Sequence, residues 1–401
     1  MLSKEVLPPG KLLTLPNFLV FTYTLFLTGF YYIPNAVDQY KFYSIAVFLP
    51  GLFILKPALR ELKGNILWYA ILAYLCYMLL TSLWSIDFSA KQLFRDARLG
   101  VYIMMFILLT VFIARLNRKL LDTIIRLTCI VAGIAATISI FLWYSNHPFP
   151  SSRLIGIGTI GNPNPSAFIY GFFAVFACYY AFRAQDIRTR LAFALICMVL
   201  LAFVALTRSN TGILATATAI PLLLIAHTHH HRLLLVGGTL TGIGAVVYLL
   251  GSLGALSGPT DSGFTERLII WEKVLDQGKA APAFGNGYQK EILMTSSGGF
   301  DKANYAHNTF LASLRDGGIT GLLLHLFIMA IAIRIAVQFA RKNRDPIYLI
   351  LLVFGFICMS ADTDQLITRP RELWVIFWLP LALLAGLEVE GRQRSASRQA
   401  G

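Results

Sequence analysis

The chain carries little charge. Only 13% of its 401 residues are Asp, Glu, Lys or Arg, while 57% are hydrophobic. A soluble domain carries roughly 25% charged residues, so this composition excludes an ordinary soluble protein and indicates one domain embedded in lipid. Cysteine offers no framework either. Cys76, Cys129, Cys178, Cys197 and Cys358 lie in apolar runs without CxxC or CxxH spacing, which excludes a zinc ribbon or a disulfide scaffold and reads as small buried hydrophobes. No P-loop occurs, so no soluble nucleotide cofactor is indicated. No small-residue cleavage site follows the first apolar run, which reads as a retained span. No internal repeat or pair of inverted halves is visible, which disfavours a secondary transporter. Acidic residues are outnumbered, 20 to 34, giving a formal charge of +14. The cations are scattered between apolar spans, which argues against nucleic acid. They fit either loop retention in the cytoplasm or an anionic partner such as phospholipid, a lipid diphosphate or an acidic glycolipid.

A bilayer core takes about 20 apolar residues per helix. Windows of that kind lie at 13–33, 40–55, 66–84, 99–116, 120–143, 166–183, 190–207, 209–226, 233–256, 318–340, 346–366 and 373–388. The expectation is an all-α polytopic membrane protein with about 12 transmembrane helices. The second window is short and carries Pro50-Gly51. One integral domain is expected, divided as spans one to nine (1–256), an outward loop with the main motif (257–317), and spans ten to twelve with a cytoplasmic tail (318–401). Placing the N-terminus inside puts Lys56, Arg60, Lys63, Arg115, Arg118, Lys119, Arg183, Arg188, Arg190, Arg232, Arg341, Lys342, Arg344, Arg392, Arg394 and Arg398 in cytoplasmic segments, as the positive-inside rule requires. Both termini are then cytoplasmic. Outward segments nevertheless hold Lys91, Arg95, Arg98, Arg153, Arg208, Arg267, Arg369 and Arg371. Topology gains nothing from these, so each needs a solvated loop or an anionic partner.

The long outward loop contains TERLIIWEKVLDQGK, in which Phe264, Leu268, Trp271 and Leu275 form one helical stripe. Gly278 is placed to cap that helix, and Arg267 and Lys273 lie off the stripe. Then comes YAHNTFLASLRDGGITG, residues 305–321. A lone histidine at a helix start is commonly a solvated or capping residue. Here Asn308 can fix the His307 imidazole or bind a sugar hydroxyl, and Gly317-Gly318 can bend the helix or admit a ligand closely. Lys91, Arg95 and Arg98 share one face if their segment is helical. HTHHHR (227–232) reads as an inward solvated loop, and DTD (362–364) as structural or solvated, because no nucleotide-binding domain accompanies it.

At these residues the chain resembles the O-antigen ligases of Gram-negative bacteria, within the larger ligase/polymerase superfamily. The family's His-Asn, nine residues, Gly-x-x-Gly pattern is matched by His307, Asn308, Gly318 and Gly321. Arg267 and Trp271 precede it, followed by PAFGNGYQ (282–289), where relatives carry Pro-x-x-Gly-x-Gly. RLIGIGTIGNPNPSAF (153–168) resembles a recurring Gly-x-x-x-Asn-Pro-Asn segment. Where relatives show Thr-x-Ser-Arg-Gly, this chain has LTRSNTGIL, with Asn210 at the arginine position and Arg208 two residues earlier.

The resemblance implies a glycosyltransferase-C-like fold and transfer of O-antigen polysaccharide from undecaprenyl diphosphate to a sugar of the lipid A-core. The reaction would occur at the periplasmic face of the inner membrane. It implies His307 as general base, suited by an imidazole's unperturbed pKa of about 6.5, and Arg267 as diphosphate ligand, suited by its permanent planar charge. Arg208, Lys91 and Arg95 would assist with the diphosphate, and Asn308, Gly318, Gly321 and Arg153 would support the substrate site. Attack opposite the leaving group implies inversion, and no metal or cofactor is expected. The alternatives are an O-antigen polymerase, a protein O-oligosaccharyltransferase, or a flippase or transporter for the lipid-linked glycan. The sequence does not fix the oligomeric state.

Overall fold

Backbone in lipid must satisfy its own polar groups, so apolar runs of this length fold as helices. In a computed structural model of the protein, residues 14–227, 260–288, 292–296, 299–303 and 306–399 are described. The helices are α1 (Leu15–Gly29), α2 (Ala36–Glu61), α3 (Ile66–Thr81), α4 (Ala90–Leu116), α5 (Arg118–Tyr144), α6 (Pro163–Arg183), α7 (Ile187–Leu206), α8 (Asn210–His227), α9 (Thr260–Ala280), α10 (Thr309–Asn343), α11 (Ile347–Ala361) and α12 (Leu379–Gln399). A π-helical turn, Trp374–Trp378, leads into α12. Eight helices among the described residues are long and apolar enough to cross a membrane. Leu15–Gly29, Asn210–Ala226 and Ile347–Ala361 are apolar but shorter. Eleven of the twelve apolar windows thus fall on helices, while 233–256 lies outside the described residues.

The Pro50-Gly51 window is longer than its hydropathy suggests. α2 runs 26 residues, absorbing the proline with a π turn at Tyr43–Phe48 and a 3-10 turn at Leu52–Ile54. The core forms around α6, buried along most of its length, and around a cluster of Phe26, Tyr43, Phe106 and Trp374, with Tyr43 and Trp374 rings 5.0 Å apart. Four of the five cysteines are buried as expected; Cys76 is exposed. The all-α expectation needs one amendment. The long loop contains an antiparallel hairpin, β1 (Ile292–Ser296) and β2 (Gly299–Ala303), with Met294 opposite Asp301.

Arg126, inside an apolar window, is neutralised by Asp122 at 2.7 Å and lies over the Tyr180 ring. It is not alone. Arg315 and Asp316 are also buried, on the part of α10 that starts nine residues before the apolar window at 318, and His325 is buried within that window.

That helix is broken at Gly318, whose φ of 63° leaves the helical region. The break exposes carbonyls and amides that must find partners, and the 282–287 turn supplies them. Asn286 and Gly287 amides donate to the Arg315 and Asp316 carbonyls at 2.8 and 3.0 Å, and the Ile319 amide donates to the Pro282 carbonyl at 2.8 Å. A Cβ on Gly318 would sit 2.5 Å from the Ala283 carbonyl, and one on Gly285 2.4 Å from Asp316 backbone. Trp84 Nε1 and the Tyr77 hydroxyl pin the joint by donating to the Gly285 and Gly317 carbonyls.

Residues 156–161, GIGTIG, have GxGxxG spacing. They lie in the loop before α6 with no preceding strand, and Gly158 packs on the Phe30 carbonyl. This is not the strand–turn–helix of a dinucleotide fold.

Candidate functional site

Four consecutive residues before and at the start of α10 are fastened to the last turn of α11 and the loop that follows it. The Ala306 amide donates to Asp364 Oδ1 at 3.1 Å. His307 Nδ1 lies 3.0 Å from Asp362 Oδ1. Asn308 Nδ2 donates to the Ser360 carbonyl at 2.8 Å, and the Thr309 and Thr363 hydroxyls meet at 2.6 Å. The DTD stretch is therefore the partner of the His-Asn motif, and the solvated reading of it fails. Asp362 is 5% exposed. Residues 362–364 lie at the end of the window 346–366, an end that the expected topology puts on the same side as His307, but nothing in the sequence singled out the carboxylate.

The same Asp362 oxygen accepts from Arg267 Nη2 at 3.0 Å. Arg267 projects from α9, which docks through Val274 against Ala306, Leu311 and Ala312, and through Gly278 against Leu314. Trp271 Nε1 donates to the Ala306 carbonyl at 3.0 Å. The buried face of α9 is thus Arg267, Ile270, Trp271, Val274 and Gly278. The expected stripe is rotated, since Leu268 and Leu275 are exposed, and Gly278 lies within the helix rather than capping it. The sequence stripe kept Trp271 on the docked face but put Leu268 and Leu275 there in place of Arg267, Ile270 and Val274.

Arg153 and Arg208 join from a second loop pair. Arg153 Nε donates to the Thr207 carbonyl at 3.0 Å, and Arg208 Nη1 to the Ser151 carbonyl at 2.6 Å. Arg153 also donates to Asn164 Oδ1, on the first turn of α6, while Asn162 caps that helix. Burial holds the Arg153 proton affinity below the ordinary guanidinium value. Arg208 and Arg267 push it the same way by repulsion, and Asp362 opposes them. Arg267 and His307 thus share the Asp362 carboxylate, while Arg153 lies within electrostatic reach of Asp362, Arg208 and Arg267. Arg208 and His307 adopt left-handed φ values of 53° and 51°, which costs a non-glycine residue about 1–2 kcal/mol.

The remaining expected site residues fall into two groups. Lys91 is exposed on the first turn of α4, and Arg95 lies beside the buried Asp96 at 3.5 Å. That turn is near the site end, since Gly287 packs on Ser85. Among the described residues, Lys91 makes no contact with the cluster. Asn308 is engaged as the α10 N-cap, accepting from the Phe310 and Leu311 amides. Gly318 faces the 282–285 backbone, and Gly321 packs near Met78 and the Ser313 carbonyl. The HTHHHR stretch falls, past His227, outside the described residues. Among the described residues, no group of three His, Cys, Asp or Glu side chains is gathered to hold a metal ion.

Together these features define a multi-pass helical membrane protein with a cationic, histidine-bearing site at one end of the bundle. The O-antigen ligase family model matches residues 193–326, a region that includes Arg208, Arg267 and His307. The O-antigen ligase of Pseudomonas aeruginosa is 30% identical over 381 residues, 93% of this chain and 91% of that protein. The exopolysaccharide production protein ExoQ of Rhizobium meliloti is 26% identical over 234 residues, 49% of this chain and 52% of its own length. The chain belongs to the O-antigen ligase family.

Proposed function

We propose that this protein transfers O-antigen polysaccharide from undecaprenyl diphosphate to a sugar of the lipid A-core oligosaccharide, at the periplasmic face of the inner membrane. The observation that carries the reading is that Asp362 holds both Arg267 and His307, with Arg153 in electrostatic reach of Asp362, Arg208 and Arg267. One carboxylate cannot neutralise three guanidiniums, so the site calls for a polyanion, and a diphosphate supplies one.

In the step that follows, the acceptor hydroxyl oxygen attacks the anomeric carbon and its proton passes to His307 Nε2. Nδ1–H donation to Asp362 puts the lone pair on Nε2, and Asp362 stabilises the imidazolium that forms. The glycosidic C–O bond to the diphosphate breaks, and the charge gathering on its oxygens is held by the arginines. Attack opposite the leaving group inverts the anomeric carbon. The arginines neutralise the leaving group, so no step calls for a metal. Lys91 and Arg95 would extend the cationic wall toward the diphosphate or a phosphorylated core. Asn308, Gly318 and Gly321 would support the site by holding the motif and the loop in place.

The test is in cells. His307→Ala and Arg267→Ala should leave the protein in the membrane yet abolish long-chain lipopolysaccharide on a silver-stained gel. Normal ladders from either variant would remove that residue from the site. The partial relationship to an exopolysaccharide production protein favours keeping a polymerase as the second reading. A deletion separates the two: core without any O-chain marks a ligase, and core bearing a single repeat marks a polymerase.

A further inference from the structure

The chain leaving α5 turns beside the arginine cluster and carries four aromatic rings. His147 stacks on Trp143 with ring centroids 3.9 Å apart and planes 5° from parallel. Its Nδ1 is hydrogen-bonded with the Trp143 carbonyl at 2.9 Å. Phe149 stands edge-on to Tyr144, centroids 5.0 Å apart, and is 63% exposed. The rings are fixed by one loop. Trp143 Nε1 donates to Ser152 Oγ at 3.2 Å, and the Tyr144 hydroxyl to the Ser152 carbonyl at 3.0 Å. The neighbouring Ser151 carbonyl accepts from Arg208, and the next residue along is Arg153. Tyr144 lies within electrostatic reach of Arg208.

Rings held on a rigid turn lose little rotamer freedom on binding. They offer flat apolar faces next to cations and hydroxyls. A pyranose ring matches that surface, because its faces carry C–H groups and its edge carries hydroxyls. An interfacial lipid anchor is the rival explanation, since aromatic rings gather at membrane boundaries. Phe141, 73% exposed on α5 itself, suits that role. His147 and Phe149 instead lie beyond the helix end, and the outer ring of the stack is a polar imidazole, ill matched to acyl chains.

We propose that Trp143, His147 and Phe149 form a shelf that binds a pyranose ring of the glycan adjoining the reacting bond. This rests on the transfer reaction above, and the ring can belong to the core acceptor or to the donor glycan. The test uses the full chain in nanodiscs, with saturation-transfer NMR on delipidated core oligosaccharide and, separately, on delipidated O-glycan. The sugar that receives saturation identifies the source.

Phe149→Ala and His147→Ala should weaken that binding about three- to tenfold and raise the KM of the same substrate equally at unchanged kcat. Phe149→Tyr should restore both, and Phe141→Ala should change neither. The proposal is overturned if wild type binds neither sugar, if the Ala variants bind as wild type, or if Phe141→Ala matches Phe149→Ala. Shelf binding in a protein that transfers nothing would sink the ligase reading and leave the shelf standing.

Discussion

At the scale of single residues, Asp362 carries as much of the site as His307. It is buried and shared by an imidazole and a guanidinium. Asp362→Asn preserves shape but removes the charge that fixes the His307 tautomer and balances its protonated form. Transfer in vitro should fall by about 10²–10⁴ in kcat, with donor KM changed far less. An unchanged kcat would show that His307 works without it. Arg267→Lys should also be poorly tolerated, because an ammonium cannot bridge carboxylate and diphosphate as a planar fork does. His307 and Arg267 stood out in the sequence, as a histidine and an arginine in segments expected to face outward, and the structure brings both to Asp362. Asp362 was not, because a carboxylate after a span looks the same whether it faces water or a neighbouring loop. The pairing of 306–309 with 360–364 exists only in three dimensions.

At the scale of elements, the break at Gly318 builds the site. It lets the 282–287 turn enter α10 backbone to backbone, which fixes where α9 leaves the membrane end and so where Arg267 points. Gly318→Ala combines a left-handed φ with a Cβ 2.5 Å from the Ala283 carbonyl. It should cost about 1–3 kcal/mol or more, lower the thermal midpoint and open 282–287 to protease. A midpoint and cleavage pattern like wild type would contradict the interlock. The sequence announced glycines here but not their partner; Gly318 packs on a loop where a ligand had seemed equally suitable. The α9 stripe was misplaced for a related reason. Hydropathy ranks Leu268 and Leu275 above Arg267, while the fold buries the arginine because Asp362 waits for it.

At the scale of the whole molecule, the helices were legible because lipid leaves so few options for the backbone, and eight of those described are long and apolar enough to cross it. Eleven apolar windows became helices, and α2 extended past its proline by changing local helix pitch. Charge asymmetry sets the expected orientation. Asn117→Cys, between α4 and α5, and Asn146→Cys, just after α5, lie at opposite ends of α5. A membrane-impermeant maleimide given to cells with a permeabilised outer membrane should label Asn146→Cys, and should reach Asn117→Cys only after the inner membrane is broken. The reverse pattern would invert the molecule and place the His307 site in the cytoplasm, away from the assembled glycan.

The most direct measurement is transfer by the purified protein, supplied with undecaprenyl-diphosphate-linked O-antigen and rough lipopolysaccharide, with and without EDTA. Ladder formation that EDTA leaves intact, and that His307→Ala and Arg267→Ala each abolish, is the expected result. Transfer that persists without the imidazole, or stops when divalent cations are removed, would contradict a histidine base working among arginines.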